Sequence, residues 1–505
     1  MSATAVPATL FDLPEPSPSE RPAFGRSSGM TVLSYGLGAD STAILIEFLD
    51  HPERYGLAPD LSDLIVVHAV TGDEWPDTLD YVDRLVLPRL RRAGVRLVQV
   101  ARAGRQDADG VVVLDDSRSP RRIFARGPWR LSDELREAGT VPQIANGRRT
   151  CSIRFKGWVL DQWAEAEFDG ASYRRVIGYH YGELKRAEKD SRIQREHNRA
   201  AGRTICEPFY PLILARQDRA AVERYVLERL GEPVQKSYCS QCPFSGVCAS
   251  RDAHEARLRE HPHIAADVLR MEHVAMALNE RSSLYGTDSL YRRLTEDGRN
   301  HPVLSAFEES LDQAPYAIYE VRRIYFAART PDCRTHHGRS CRSPKWWCRQ
   351  PRTEQCRVDH PAGDFEPWCP GHSECRGPAK KGPAWRSVRT VWEGDRRTAE
   401  QLIRQFAARH GLALERGETS GIQRAHYLTA DGGFPAAAAF AVAAPAGVRD
   451  KQRRNFEEAW TRHTGDVGTR WNPLRPLPAP EPPRPTGGKP LIRRAKSIGG
   501  VTLIA

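Results

Sequence analysis

The chain lacks the marks of a membrane-spanning or secreted protein. Its longest apolar stretch, Phe434 to Val448, is mostly alanine and is broken by Pro435 and Pro445, so it is too short to span a bilayer. Met1 to Gly29 is rich in Ser, Pro, Ala and Glu and has no basic-then-apolar order of a signal peptide. Cysteine is too scarce for a disulfide scaffold, with 11 in 505 residues, yet it is clustered. In the cytoplasmic, reducing location these absences imply, clustered thiols bind metal more often than they pair. No internal repeat is visible, and no Gly-Lys-Ser/Thr marks a Walker loop.

What is present suits a soluble globular protein, 40% hydrophobic and 28% charged. Lys and Arg (75) exceed Asp and Glu (64), for a net +11 that suits a phosphate-rich partner. At ~150 residues per domain the length suggests roughly three domains. Residues 1–29 read as a disordered leader and 30–215 as a nucleotide-binding α/β domain. A helical extension carrying a cysteine loop follows at 216–330, then a Cys/His-rich zinc module at 331–386. A small α+β domain at 387–470 and a Pro-rich tail at 471–505 complete the chain.

In the α/β domain, strands are predicted at Thr31 to Ser34, Leu64 to Val70, Val95 to Val100 and Val176 to Tyr179. Helices are predicted at Ser41 to Asp50 and Val82 to Ala93. Such alternation predicts a Rossmann-like parallel sheet with helices on both faces.

Leu33 to Ala43 (LSYGLGADSTA) is a strand, a glycine turn and a helix start. Gly36 and Gly38 allow close approach of an anion, the first helical N–H groups are free, and Ser34 and Ser41 can donate hydroxyls. An ordinary glycine turn with an Asp/Ser cap is the alternative reading of this loop taken alone.

The segment resembles the pyrophosphate-binding loop of the PP-loop, or adenine nucleotide alpha-hydrolase, superfamily. More narrowly it resembles the phosphoadenosine phosphosulfate (PAPS) reductase family and the related DNA phosphorothioation sulfurtransferases. Tyr35 and Leu37 make the loop one residue longer than the short consensus. Further matches follow in order: Ala69 to Thr78 (AVTGDEWPDT), Arg148 to Lys156 (RRTCSIRFK), Ile177 to His180 with Glu183 and Arg186, and Tyr210-Pro211-Leu212. The resemblance covers about residues 30 to 250.

The resemblance implies ATP or another adenylyl nucleotide with Mg²⁺ at the carboxyl end of the sheet. It assigns the phosphates to Ser34, Gly36, Gly38, Asp40 and Ser41, with adenine at Ala69 to Thr71 and Mg²⁺ near Asp40. Arg149, Lys156 and Arg186 would stabilise phosphate oxygens, with plain surface charge as the alternative. Glu74 would bind substrate or charge the first helical turn. The implied activity is that of an ATP pyrophosphatase or sulfurtransferase. It adenylates a substrate, releases pyrophosphate and supports sulfur transfer, with a cysteine desulfurase as the kind of sulfur donor. Sulfonucleotide (PAPS) reduction and a non-catalytic nucleotide- or nucleic-acid-binding role are the alternatives.

Cys239-x2-Cys242-x5-Cys248 brings three thiolates within reach of one ion or one cluster face. With Cys151 as fourth ligand the resemblance favours [4Fe–4S], and zinc is the competing metal. Six further cysteines follow, Cys333, Cys341, Cys348, Cys356, Cys369 and Cys375; Cys333-x2-His336 and Cys369-x2-His372-x2-Cys375 have ligand spacing, and one or two zinc ions would hold the segment together. Arginines and the Trp346–Trp347 pair interleave with them, as in a segment that contacts the phosphates and bases of DNA or RNA.

Overall fold

The computed structural model describes residues 29–145, 148–244, 250–286, 288–327, 381–417, 420–430, 436–465 and 501–503. The chain divides into two compact units, residues 1–135 with 142–264, and residues 136–141 with 265–505.

The first unit is built on a mixed six-stranded sheet. Its strands are β1 (Thr31–Ser34), β2 (Leu64–Val70), β3 (Arg96–Arg102), β4 (Val111–Ser117), β5 (Tyr173–Val176) and β6 (Cys206–Phe209), ordered β4-β3-β2-β1-β5-β6. All neighbours run parallel except β3 and β4. The wholly parallel sheet expected from the alternation is corrected at this edge. Residues 103–110 are too few for a crossover, so the chain returns as an antiparallel neighbour.

Alternate residues sort to opposite faces. Leu33, Leu64, Val66, Leu97 and Val176 pack with α1 (Ala39–Asp50), α2 (Leu87–Ala93) and Val222, Tyr225 and Val226 farther along the chain. Val32, Ile65, Val67, Val98 and Val100 pack with Val159 and Trp163 of α3 (Trp158–Phe168). Helices therefore cover both faces, which explains why Leu64 to Val70 is buried throughout. Three further helices follow in this unit: α4 (Leu184–Ala200), α5 (Arg219–Leu230) and α6 (Arg251–Glu260).

The connection from β1 passes through α1 to β2 on one side, while the other neighbour of β1 is β5. The turns leaving β1 and β5 diverge at this switch point, where open α/β sheets form a crevice. The strand expected at Val176 to Tyr179 lies earlier, at Tyr173–Val176, because the chain leaves the sheet at Ile177 to pass beneath α1.

The second unit is antiparallel. Its strands are β7 (Tyr316–Ala327), β8 (Lys381–Gly394), β9 (Leu414–Arg416), β10 (Gln423–Ala430) and β11 (Ala436–Pro445), ordered β8-β7-β11-β10-β9, and residues 501–503 pair with β10. β7 lies inside the stretch read as mainly helical; its run of Tyr, Ile, Val and Phe fills the centre of the sheet. The alanine-rich stretch becomes β11, whose small side chains pack under the helix Arg396–His410. Among the described residues no helix is long and apolar enough to cross a membrane.

Candidate active site

The turn after β1 starts from sequence-local chemistry. Leu37 adopts φ 60°, and Gly38 is extended and caps α1 without a side chain. The N–H groups of Ala39, Asp40 and Ser41 therefore have no partner within the helix. Ser41 Oγ accepts from Gly36 N (3.1 Å) and donates to the Gly38 carbonyl (3.2 Å), which holds the turn open. Gly36 is exposed, and Ser34 and Gly38 are half-buried, so the rim of the turn meets solvent. Beneath it, His68 Nδ1 donates to the Tyr35 carbonyl at 2.9 Å, and burial pushes the imidazole down to about 4, so it is neutral at pH 7.

Asp40 lies in the first turn of α1. Its Oδ2 accepts from Arg219 Nη1 at 2.9 Å, whereas Oδ1 is buried and has no hydrogen-bond partner. Burial raises its carboxyl, opposed by Arg219 and His180. The turn after β5 fits closely here: a Cβ on Gly178 would lie 2.9 Å from Ser41 N and 3.0 Å from Asp40 Cβ. Arg186 pairs with Glu183, and its guanidinium lies 4.7 Å from the Tyr179 ring centre. Glu183 in turn acts electrostatically on Asp40, which ties Arg186 to this side of the crevice.

A second cluster gathers past β2. Thr71 is buried, and its Oγ1 lies 3.5 Å from Cys239 Sγ. Glu74 Oε1 accepts from Tyr238 N at 3.1 Å, and its Oε2 lies 2.8 Å from Ser237 Oγ. Ser237 Oγ also lies 2.8 Å from the Gly36 carbonyl. A hydroxyl has one hydrogen for these two acceptors. Burial raises the Glu74 carboxyl, and in its protonated form it supplies the second hydrogen.

Asp73 Oδ2 accepts from Ser132 N (2.8 Å) and Gln241 Nε2 (3.0 Å), and the Asp73 carbonyl accepts from Ser240 N (2.9 Å). Buried Arg257 of α6 donates to Asp77, Thr78 and the Lys236 carbonyl (2.7, 2.7 and 2.8 Å) with its guanidinium over Trp75. These bonds clamp the segment bearing Cys239 and Cys242 against the loop after β2.

Lys156 sits on a π-helical turn, Ile153–Gly157, and acts electrostatically on Glu74, Cys239, Cys151 and His68. Among the described residues it makes no ion pair. Arg149 is exposed, lies 4.8 Å from the Phe244 ring centre and acts on Cys151. Lys156, Glu74, Thr71, Cys151 and Cys239 thus share one neighbourhood, while Asp40, Ser41 and Arg186 line the other side.

Cys239 and Cys242 share a turn closed by a 2.8 Å bond from Cys242 N to the Cys239 carbonyl. Burial raises the Cys239 thiol well above its ordinary range, which disfavours an unligated thiolate there, and it raises the Cys151 thiol as well. Cys248 lies outside the described residues, and so do Cys333, His336, Cys341, Cys348, Cys356, Cys369, His372 and Cys375. Among the described residues no group of three His, Cys, Asp or Glu side chains converges to hold a metal ion. Among the described residues Cys151, Cys239 and Cys242 are thiols not joined in a disulfide, two of them on one turn.

Sequence reasoning missed Ser237, Arg219, His180, Gly178 and Arg257. Only Gly178 and His180 lay within a matched motif, and no local pattern marks the others. No protein-family model, curated protein or solved structure matches this chain.

Proposed function

We propose that the first unit is a PP-loop nucleotide alpha-hydrolase of the PAPS reductase-like kind, which adenylates a substrate and releases pyrophosphate. The observation that carries this reading is the open turn at Gly36 to Ser41. It combines free N–H groups, an exposed glycine and a buried carboxylate oxygen without a partner. Free amides at a helix start suit polyphosphate, and the Asp40 oxygen suits a cation or a ligand hydroxyl.

In this reading the pyrophosphate portion of ATP lies on the turn, with Ser34 as a hydroxyl donor, Ser41 donating once it releases the Gly38 carbonyl, and adenine near Thr71. A substrate oxygen attacks the α-phosphorus, the bond to the bridging oxygen breaks, and pyrophosphate leaves with that electron pair. Lys156 and Arg149 are the cations for charge developing on the phosphate oxygens, with Arg186 on the far side. Glu74, whose carboxyl burial raises against the pull of Lys156, is placed to position substrate. Mg²⁺, held through Asp40, would neutralise phosphate charge.

Sulfur from a donor such as a cysteine desulfurase, reduced to the sulfide level by a thiol, then displaces AMP from the adenylate, and nucleic acid is the acceptor class favoured by the chain's basic excess. Cys239 and Cys242, with Cys248 and Cys151, would hold a [4Fe–4S] cluster, which when bound would supply one-electron redox chemistry; zinc at these thiols is the competing assignment. The zinc module at 331–386 keeps its proposed role in nucleic-acid contact.

The test is a pyrophosphate-release assay with MgATP over candidate nucleic-acid acceptors. Release by the wild type and its loss, by about 100-fold or more, in Asp40→Ala are expected. Sulfite release from PAPS with a thiol donor, without pyrophosphate release from ATP, would replace this reading with the reductase one.

A further inference from the structure

Arg219 opens α5, 179 residues after Asp40, and meets it at the start of α1. Its guanidinium is half used. Nη1 donates to Asp40 Oδ2 at 2.9 Å and Nε donates to Glu223 Oε1 at 2.6 Å. Among the described residues Nη2 has no partner. The side chain is about one quarter exposed, so this free edge is not sealed in the core.

Both ends of the ion pair are held. Asp218 caps α5 by accepting from Ala221 N at 2.8 Å, which fixes the backbone from which Arg219 projects. Asp40 is confined by the Gly178 turn, where even a methyl group would collide with the backbone of α1. A guanidinium held in this way turns its free Nη2 outward at little entropic cost, a charged donor suited to a phosphate oxygen. The alternative role, a plain tie between α1 and α5, is already met by packing, since Ile44 and Leu45 share a buried cluster with Val222 and Val226.

We propose that Arg219 is a phosphate-binding residue of this site, positioned by Asp40, and that it selects nucleotides carrying a β-phosphate over monophosphates. This rests on the nucleotide reading above and deepens it, because the turn that would carry the pyrophosphate portion begins the helix that bears Asp40. Asp40 then has two tasks on two oxygens: Oδ2 orients Arg219, and Oδ1 is left for a cation or a ligand hydroxyl.

The test measures binding of MgATP, inorganic pyrophosphate and AMP to the full-length protein by calorimetry. Wild type, Arg219→Gln and Arg219→Lys are compared, with thermal melts to confirm folding. The expected result is a 10- to 100-fold loss of ATP and pyrophosphate affinity in Arg219→Gln, with AMP changed less than about threefold. Arg219→Lys keeps the charge but loses the fork, and should fall between. Equal loss for all three ligands, or no loss for any, would overturn the assignment to Arg219 alone. A folded wild-type protein that binds neither ATP nor pyrophosphate would overturn the nucleotide reading itself, and this assignment with it.

Discussion

Gly178 shows how one atom governs the site. It follows β5 by two residues, and an added Cβ would lie 2.9 Å from the Ser41 amide, a backbone atom that cannot swing aside. Gly178→Ala should therefore push the two turns apart. A destabilisation of about 1–3 kcal/mol is expected, together with weakened ATP binding; denaturant unfolding and calorimetry check the two effects. An unchanged midpoint and unchanged affinity would show that the crevice opens freely. Asp40, Ser41 and Glu74 were legible in the sequence because their chemistry is local, at a strand end and a helix start. Gly178 lay within a matched motif, yet its closeness to α1 comes from parallel pairing of β1 with β5, which register alone establishes.

At the scale of elements, long-range side chains do work that propensity cannot foresee. In the second unit, buried Arg323 and Arg424 donate to the last carbonyls of the helix Pro262–Leu278: Arg323 to Leu278, and Arg424 to Met276 and Ala277. Both guanidinium groups lie over the Phe440 ring. A cation at a helix carboxyl end favours the dipole and satisfies carbonyls that would otherwise be orphaned. Arg424→Ala should cost about 1–3 kcal/mol through those unpaired carbonyls, read as a lower calorimetric transition. If the transition does not move, the carbonyls have found another donor. The strand β7 escaped the sequence reading because it follows a long helical run and lies next to residues 328–380, which are rich in Arg, Pro and Cys and show little apolar periodicity. The helices at 41–50 and 82–93 over one face of the first sheet were read from their apolar periodicity, whereas α3 on the other face was not.

For the whole molecule, the cysteine pattern is the feature whose consequences reach furthest. Three thiols at 239, 242 and 248 stand at metal-ligand spacing, and Cys151 is the proposed fourth ligand. The described pair shares a turn, and burial there disfavours a free thiolate. Protein purified without oxygen should carry iron and sulfide with a visible absorption band. Cys242→Ala should lose most of that band while keeping its far-ultraviolet circular dichroism. Zinc without iron in the wild type would assign the site to the competing metal, and no metal at all would remove it.

The sequence by itself determined the alternation that builds the first unit, the anion-ready turn at Gly36 to Ser41, and the absence of a long apolar run. Each of these is written within a dozen neighbouring residues, where period and turn chemistry act. Tertiary structure alone decided that Arg219 meets Asp40, that Ser237 bridges Gly36 and Glu74, and that Lys156 acts on Glu74 and Cys239 together. Their partners are remote along the chain, and only parallel strand order with burial on both faces sets their distances. Physical proximity, with the desolvation that accompanies it, turns those scattered polar residues into one candidate site.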